Sequence, residues 1–162
     1  MGPPVRALAG SGVRPRAAWP IGTVATPVSP PISTGAGRLA KKVAAGAEFV
    51  QTQFVFDLSI FERFMAEVRD LGIHDRCGVI AGVGPVRSLR ALEYIATKVP
   101  GIFVPDSMIR RLRGVPADRV ADEGLQICGE IIERLTESSG VAGARVLAFG
   151  HDGGMPAITG PA

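Results

Sequence analysis

Gln53 is the polar residue whose type and position in this sequence best suit a chemical role. It lies near the end of an apolar segment, 49–54, that follows a helical pattern ended by Gly46. In a barrel of alternating strands and helices, residues at the carboxyl ends of the strands form the active site. A carboxamide both donates and accepts hydrogen bonds, so Gln53 can hold the amide-like edge of a bound ring. The structural alternative is a strand-end glutamine that bonds a neighbouring loop.

Three basic residues just before this strand form a second candidate site. Arg38, Lys41 and Lys42 recur at i, i+3 and i+4, which places their charges on one side of a helix predicted over 37–45. Together these charges can hold a pyrophosphate. Each residue along the helix lies about 1.5 Å further from the helix start, so the lysine stems would have to reach back. The alternative is a basic face in contact with solvent.

The pattern around these residues alternates between strands and helices. Short apolar segments predict strands at 21–25, 49–54, 79–81 and 146–149, with helical patterns between them. Since each helix returns the chain to begin the next strand in the same direction, we expect the strands to pair in parallel. The predicted fold class is therefore α/β, with parallel (β/α) units that form about half of a TIM-type (β/α)8 barrel.

Local signals set the predicted helix boundaries. The sequence Ser59-Ile60-Phe61-Glu62 has the form of a capping box, so a helix is predicted to begin there. Asp106 is predicted to cap a short helix, and Pro116 to open a long helix that runs through Ser138. A loop over 150–154 follows the last strand. The buried stripe predicted for the long helix consists of Leu125, Cys128, Ile132 and Leu135.

The composition fits one domain over 20–162 that is preceded by a separate leader. Residues 1–19 are basic, rich in Gly and Pro, and lack a sustained apolar period, so this leader is expected to be disordered. The chain has 162 residues, of which 46% are hydrophobic, enough for a sizeable core. It contains no run of about 18 apolar residues and no secretion signal, so we expect no membrane partner and a cytoplasmic location.

The charge and the cysteine content argue against two other kinds of site. A net charge of +3 and a pI near 9.3 would suit a nucleic-acid partner, but the basic residues are scattered and only 6% of residues are aromatic. Nucleic acid is therefore not expected as a partner. Cys77 and Cys128 have no second thiol nearby, which excludes a zinc knuckle and a CxxC redox pair. No metal site is predicted.

Several motifs occur in the order found in one enzyme family. They are Arg38-Leu39-Ala40-Lys41-Lys42-Val43, Ala45-Gly46-Ala47, Thr52-Gln53-Phe54-Val55-Phe56-Asp57, Gly82-Val83-Gly84-Pro85-Val86 and Val104-Pro105-Asp106. With these motifs the chain resembles the methylenetetrahydrofolate reductase family from about residue 20 to residue 156. The resemblance implies a (β/α)8 barrel that holds FAD, in which this chain corresponds to strands five through eight.

The resemblance also implies an activity and a set of site residues. Family members are flavoprotein oxidoreductases of one-carbon metabolism and methionine biosynthesis, and they reduce 5,10-methylenetetrahydrofolate to 5-methyltetrahydrofolate with NADH or NADPH. Gln53 would contact the folate. Thr26 departs from the tyrosine or asparagine that is common in the family. The residues that would contact FAD are Ala25, Thr26, Arg38, Lys41 and Lys42.

The resemblance further implies that the catalytic set is incomplete in this chain. In the family the proton donor is a glutamate on the first strand, and an aspartate beside the flavin comes from the fourth. Neither strand has a counterpart here. Two functions therefore stay open: an enzyme of this family, or a noncatalytic truncated half barrel that associates with another copy or with a complementing chain. Because a half barrel has open edges, we expect association.

Overall fold

The computed structural model describes residues 20–28 and 34–147, so the predicted leader 1–19 and the loop 150–154 lie outside the described residues. No helix within the described ranges is long and apolar enough to cross a membrane. The elements are β1 (Gly22–Ala25), α1 (Gly35–Ala44), β2 (Phe49–Phe54), α2 (Leu58–Asp70), β3 (Gly78–Val83), α3 (Leu89–Lys98), α4 (Asp106–Arg113), α5 (Val120–Glu137) and β4 (Val141–Val146).

The four described strands form one sheet in the order β1-β2-β3-β4, and every neighbouring pair is parallel. Phe49 of β2 lies opposite Gly22 on one side and Gly78 on the other. Each connection passes through at least one helix, as parallel pairing requires. The predicted α/β class with parallel pairing is confirmed, and β2 has the predicted bounds.

The helices bury one face of this sheet. Val50 and Val79 are fully buried in the core cluster, together with Leu39 of α1 and Phe61 and Met65 of α2. These helical residues recur at the three- and four-residue spacing of an amphipathic helix. Burial of each such side chain contributes about 1.5–3 kcal/mol to folding.

The other face of the sheet is not covered by the described helices. Side chains alternate between the two faces of a strand, so Gln51, between the buried Val50 and Thr52, lies on the face opposite the core. Its register partners Val24 and Ile80 share that face. Val24 is 66% exposed. We call this side of the sheet the open face.

The predicted capping box at the start of α2 is wrong. The N-cap is Asp57, whose side-chain Oδ1 accepts a hydrogen bond from the N–H of Ile60 at 2.9 Å. The hydroxyl of Ser59 donates to the same oxygen at 2.5 Å. An aspartate two residues upstream thus caps the helix first, because its carboxylate accepts both the backbone and the hydroxyl donor.

Two predicted signals around the later helices are also wrong. Asp106 is the first residue of α4 and makes no capping hydrogen bond, since Pro105 occupies the N-cap. α5 begins at Val120 because residues 116–119 form a turn, in which the N–H of Arg119 donates to the carbonyl of Pro116 at 2.9 Å.

The buried stripe of α5 differs from the predicted one. Cys128 and Leu135 are buried as predicted, but Leu125 and Ile132 are only half-buried. Gly124 belongs to the buried set, because a Cβ at this position would lie 1.8 Å from the carbonyl oxygen of Val86. A search for large apolar residues overlooks such a glycine. The buried residues of α5 are Val120, Gly124, Ile127, Cys128, Ile131 and Leu135.

The last strand begins earlier than predicted. β4 runs over Val141–Val146, whereas the apolar run favoured 146–149. The strand lies at one edge of the described sheet, and Ala142, Ala144 and Arg145 are exposed while none of its residues is buried, so small residues and Arg145 suffice to form it. Residues 148 and 149 lie outside the described ranges.

Replacement of Asp57 by alanine tests the observed cap. Burial raises the pKa of Asp57, but hydrogen bonds from Ser59 and Ile60 lower it more, so the pKa falls below its ordinary 3.8. The carboxylate therefore stabilises the fold well above pH 3.8 and loses this effect as the pH falls through the lowered pKa. We expect Asp57→Ala to cost about 1 kcal/mol in urea unfolding at pH 7 and progressively less below pH 3.8. Asp106→Ala is the control, with a loss of about 0.5 kcal/mol or less; equal losses would contradict the assignment.

Two glycines of α5 give a matched test of its packing. Gly124→Ala would place a methyl group against the backbone of Val86, and we expect a loss of about 1–3 kcal/mol or more. Gly129 has nothing within 4 Å of an added Cβ, so Gly129→Ala should stabilise the protein by up to about 1 kcal/mol. The melting temperatures of the two variants, compared with that of the wild type, test these expected changes in stability. Equal behaviour of the two variants would mean that α5 does not approach Val86 as described.

Candidate functional site

Parallel pairing brings the carboxyl ends of the strands to one edge of the sheet. This edge consists of the ends of the strands at Ala25, Phe54, Val83 and Val146. Gln53 is the second-to-last residue of β2, and Thr26 follows β1 directly. Two of the predicted site regions therefore lie at neighbouring strand ends, as the sequence indicated.

The ladder between β2 and β3 is irregular immediately beside Gln53. The register shifts between Gln51 and Phe54, and the hydroxyl of Thr52 fills the gap. Thr52 Oγ1 accepts a hydrogen bond from the buried N–H of Gly82 at 3.0 Å and donates to the carbonyl of Gln53 at 2.9 Å. Beyond this bulge the N–H of Val55 donates to the Gly82 carbonyl at 2.8 Å. Bulges of this kind occur next to active sites, where they redirect a side chain.

Gln53 is half-buried at this bulge. Its Oε1 accepts a hydrogen bond from the N–H of Phe54 at 3.1 Å. The Nε2 group makes no hydrogen bond with the part of the chain that the structure describes. Both amide hydrogens of Gln53 are thus available to a ligand, while the carbonyl oxygen is fixed by its own backbone. A bond to a neighbouring loop, the structural alternative, is not what the described residues show.

The end of β1 is covered by the connection between α3 and α4. A Cβ at Gly101 would lie 2.6 Å from Cγ2 of Thr26, so this glycine is packed against the threonine methyl group. Gly101 has a φ of +80°, a conformation that favours glycine. Ala25 is half-buried and packs against the core. The approach to Thr26 is therefore narrowed by residues 99–105, a contact that the sequence did not predict.

The predicted basic residues lie on the exposed side of α1. Lys42 donates from Nζ to the carbonyl of Val24 at 2.6 Å, and Arg38 bonds the hydroxyl of Thr34. Since the Ile21 carbonyl accepts from β2 and carbonyls alternate along a strand, the Val24 carbonyl points to the free edge of β1. Lys42 thus reaches the edge strand β1, while the role of the three basic residues in cofactor binding stays a prediction. Lys41 is exposed beside it.

An apolar crevice lies at the ends of β1 and β2. The rings of Phe54 and Phe56 are stacked in it, with centroids 5.7 Å apart and an angle of 6° between the ring planes. Phe103, which sequence reasoning overlooked, forms part of its wall and is 46% exposed. The crevice volume of about 10 Å³ holds no more than one water molecule, so a ligand would lie against its rim. Its walls are Pro27, Val28, Phe54, Val55, Phe56, Asp57, Phe61 and Phe103.

No group of three or more His, Cys, Asp or Glu residues within 20–28 and 34–147 is arranged to hold a metal ion. Cys77 and Cys128 are both buried and free. Burial raises the pKa of Cys128 to about 11, and it raises the pKa of Cys77 as well. Both side chains are therefore protonated thiols at neutral pH, and a protonated thiol is a poor nucleophile and a poor metal ligand.

Comparison with known proteins agrees with this arrangement. A family model described as methylenetetrahydrofolate reductase matches residues 15–159, which is most of the chain. The chain belongs to the methylenetetrahydrofolate reductase family. The resemblance of the separate motifs is thereby confirmed.

Curated relatives of this methylenetetrahydrofolate reductase family member are much longer. A "Probable methylenetetrahydrofolate reductase (NADPH)" of Caenorhabditis elegans is 26% identical over 144 residues, which is 88% of this chain and 21% of that protein. "Methylenetetrahydrofolate reductase (NADH) 1" of Arabidopsis thaliana is 36% identical over 66 residues, 38% of this chain and 11% of its own length. The chain therefore spans at most about a fifth of the length of these relatives.

A solved structure from Clostridium thermocellum shares the fold. Its title describes an uncharacterized protein that binds two copies of 5-methyl-5,6,7,8-tetrahydrofolic acid. The TM-score is 0.59 at 17% sequence identity, and the match covers 85% of this chain and 50% of that one. At this identity the likeness establishes the fold and no more.

Thr52→Val tests the bulge that holds Gln53. Valine keeps the shape of threonine but leaves the buried N–H of Gly82 without a partner, so we expect a loss of about 2 kcal/mol in urea unfolding. Thr52→Ser retains the hydroxyl and should lose less, about 1 kcal/mol. If the serine variant were the less stable of the two, packing of the methyl group would outweigh the hydrogen bond and the proposed role of the hydroxyl would be refuted.

Proposed function

We propose that this chain provides part of the folate- and flavin-binding edge of a methylenetetrahydrofolate reductase. The reaction is the FAD-dependent reduction of 5,10-methylenetetrahydrofolate to 5-methyltetrahydrofolate with NAD(P)H. Membership of the family supports the reaction class. The observation that carries the proposal is the position of Gln53, which lies at the carboxyl edge of a parallel sheet with amide hydrogens that no described residue accepts.

Gln53 is proposed to bind the folate. The carbonyl and ring nitrogens of a pterin accept hydrogen bonds, and the Nε2 group of Gln53 can supply two. Because its Oε1 is held by the N–H of Phe54, the orientation of the amide is fixed before a ligand arrives. Such preorganisation reduces the entropy cost of binding. The bound folate named for the Clostridium thermocellum protein supports this ligand class.

FAD is proposed to lie against α1 and the end of β1. Arg38, Lys41 and Lys42 would hold its pyrophosphate, and the small Ala25 and the neighbouring Thr26 would allow the backbone to approach the ring. The ammonium of Lys42 has three donors, of which the Val24 carbonyl takes one, so the set of donors fits an anion. When bound, FAD supplies the hydride-transfer chemistry, and these residues bind and orient it.

The proton of the reaction must come from outside the described sheet. None of its four strands contains Asp or Glu, so none supplies the acid that the family carries on its first strand. We therefore propose that 20–162 form a partial barrel that acts with further strands, with 1–19 as a leader. The cytoplasmic location stays a prediction from the sequence.

The second candidate function is a noncatalytic half barrel that associates with another copy or a complementing chain. The observation that favours it is the exposure of the sheet at the edge formed by β1. Ile21 and Val24 at the β1 edge are 50% and 66% exposed, and an uncovered parallel edge invites strand addition. Among the described residues, the Lys42 side chain donates to the Val24 carbonyl at that edge.

Gln53→Ala separates these two functions when compared with the wild-type chain. After reconstitution with FAD, we expect a visible flavin spectrum in both proteins, since Gln53 is assigned to folate and not to flavin. Titration with 5-methyltetrahydrofolate should show binding that Gln53→Ala weakens by about tenfold or more, because the hydrogen bonds proposed for Nε2 are lost. The matched control is Gln126→Ala, because Gln126 is an exposed glutamine of α5 that contacts Glu130.

If the wild-type chain stayed colourless with FAD and bound no folate, the result would favour the noncatalytic half barrel over the enzyme. If folate bound with equal affinity to the wild type and to Gln53→Ala, the family role would hold but the assignment of Gln53 would fail.

A further inference from the structure

Arg145 is the one charged residue within the four described strands. It lies in β4, and its Nη1 donates a hydrogen bond to Oε1 of Gln51 in β2. Since β3 lies between these two strands, the guanidinium reaches across β3. Gln51 belongs to the open face, and Arg145 therefore lies on that face as well.

Most of the remaining open face is apolar. Val24 and Ile80 lie beside Gln51 in the register, and the ring of Phe49 extends over Gly22. Val24 is exposed, although it belongs to a sheet whose other face is a packed core. An apolar surface of this kind next to free strand edges marks a surface for association.

The charge of Arg145 restricts what can cover this face. A guanidinium that loses its water must be paired with an anion, because an unpaired buried charge is strongly unfavourable. Gln51 is neutral and accepts from only one of the five N–H donors of Arg145. The described strands contain no Asp or Glu that could neutralise it. A protein surface that covers this face must therefore bring the carboxylate of an Asp or Glu, because these are the anionic side chains of proteins at neutral pH.

A second copy of this chain does not meet that condition. Two copies could close an eight-stranded barrel only around a twofold axis that runs along the barrel axis, which would place both Arg145 side chains at the same height. The interior of an eight-stranded barrel is just wide enough for its side chains to fill, so the two guanidiniums would meet near the axis. With no acid on either strand set, they would repel each other.

We propose that the open face binds a parallel-sheet segment of different sequence that presents a carboxylate to Arg145, and that it does not bind a second copy. This inference decides between the two kinds of partner left open above. It concerns association alone, so its outcome is independent of folate and flavin binding.

The Arg145→Glu variant of the same chain serves as the probe, because it offers a sheet of matching shape with a carboxylate at the required height. Wild type and Arg145→Glu should each elute as monomers, since each carries like charges at the contact. An equimolar mixture should form a heterodimer whose apparent Kd is at least about tenfold below that of either protein alone. Light scattering after gel filtration and native mass spectrometry, with one chain isotopically labelled, identify the heterodimer.

Three further variants complete the experiment. Arg145→Met removes the charge and should form a homodimer, which tests the proposal even if Arg145→Glu fails to fold. Arg134→Glu is the matched control, because Arg134 is an exposed arginine of the helical layer, and it should not associate with the wild type. Asp152 is the one acid of the sequence outside the described ranges, and Asp152→Asn should leave the heterodimer unchanged.

Three results would overturn the proposal. A wild-type homodimer at least as tight as the mixture would show that the face accepts a second copy. A mixture that stays monomeric, with each component folded by circular dichroism, would show that a carboxylate does not complete the face. A wild-type homodimer that Asp152→Asn abolishes would show that Asp152 of a second copy supplies the carboxylate.

Discussion

The hydroxyl of Thr52 joins β2 to β3 at the point where the regular ladder between these strands is interrupted. It accepts from the buried N–H of Gly82 and donates to the carbonyl of Gln53, so one side chain satisfies backbone groups on both strands. Without it, the N–H of Gly82 would be buried without a partner near the carboxyl end of β3. The position of Gln53 at the carboxyl edge depends on this link, and the proposed folate contact depends on the position of Gln53.

Helices cover one face of the sheet, and the described helices leave the other face uncovered. Helices bury Val50 and Val79 on the core side, while Val24 and Arg145 lie on a face that no described helix covers. The absence of acidic residues from the four strands has two consequences. In the proposed function the proton donor comes from another segment, and the proposed cover of Arg145 supplies the carboxylate that pairs with its charge. One additional segment of parallel sheet that carries acids would meet both needs.

The sequence predicted the parts of the fold that depend on regular patterns. The parallel α/β class, the bounds of β2 and the exposed basic side of α1 follow from periodicity and glycine stops. Features that depend on contacts between distant segments were beyond its reach: the Thr52 bulge requires Gly82, and Gly124 is buried because the Val86 carbonyl lies against it. β4 was misplaced because an edge strand with no buried residue needs no long apolar run. At the candidate site, the strand-end position of Gln53 was predictable, but the cover of Thr26 by Gly101 was not.

Amide hydrogen exchange at Gly82 tests the central link most directly. If the Thr52 hydroxyl holds this N–H, Gly82 should exchange as slowly as its neighbours in the centre of β3, and it should lose that protection selectively in Thr52→Val but keep it in Thr52→Ser. Exchange of Gly82 in the wild-type chain at the rate of an exposed amide, with the rest of β3 protected, would contradict the account of the bulge and of the site built on it.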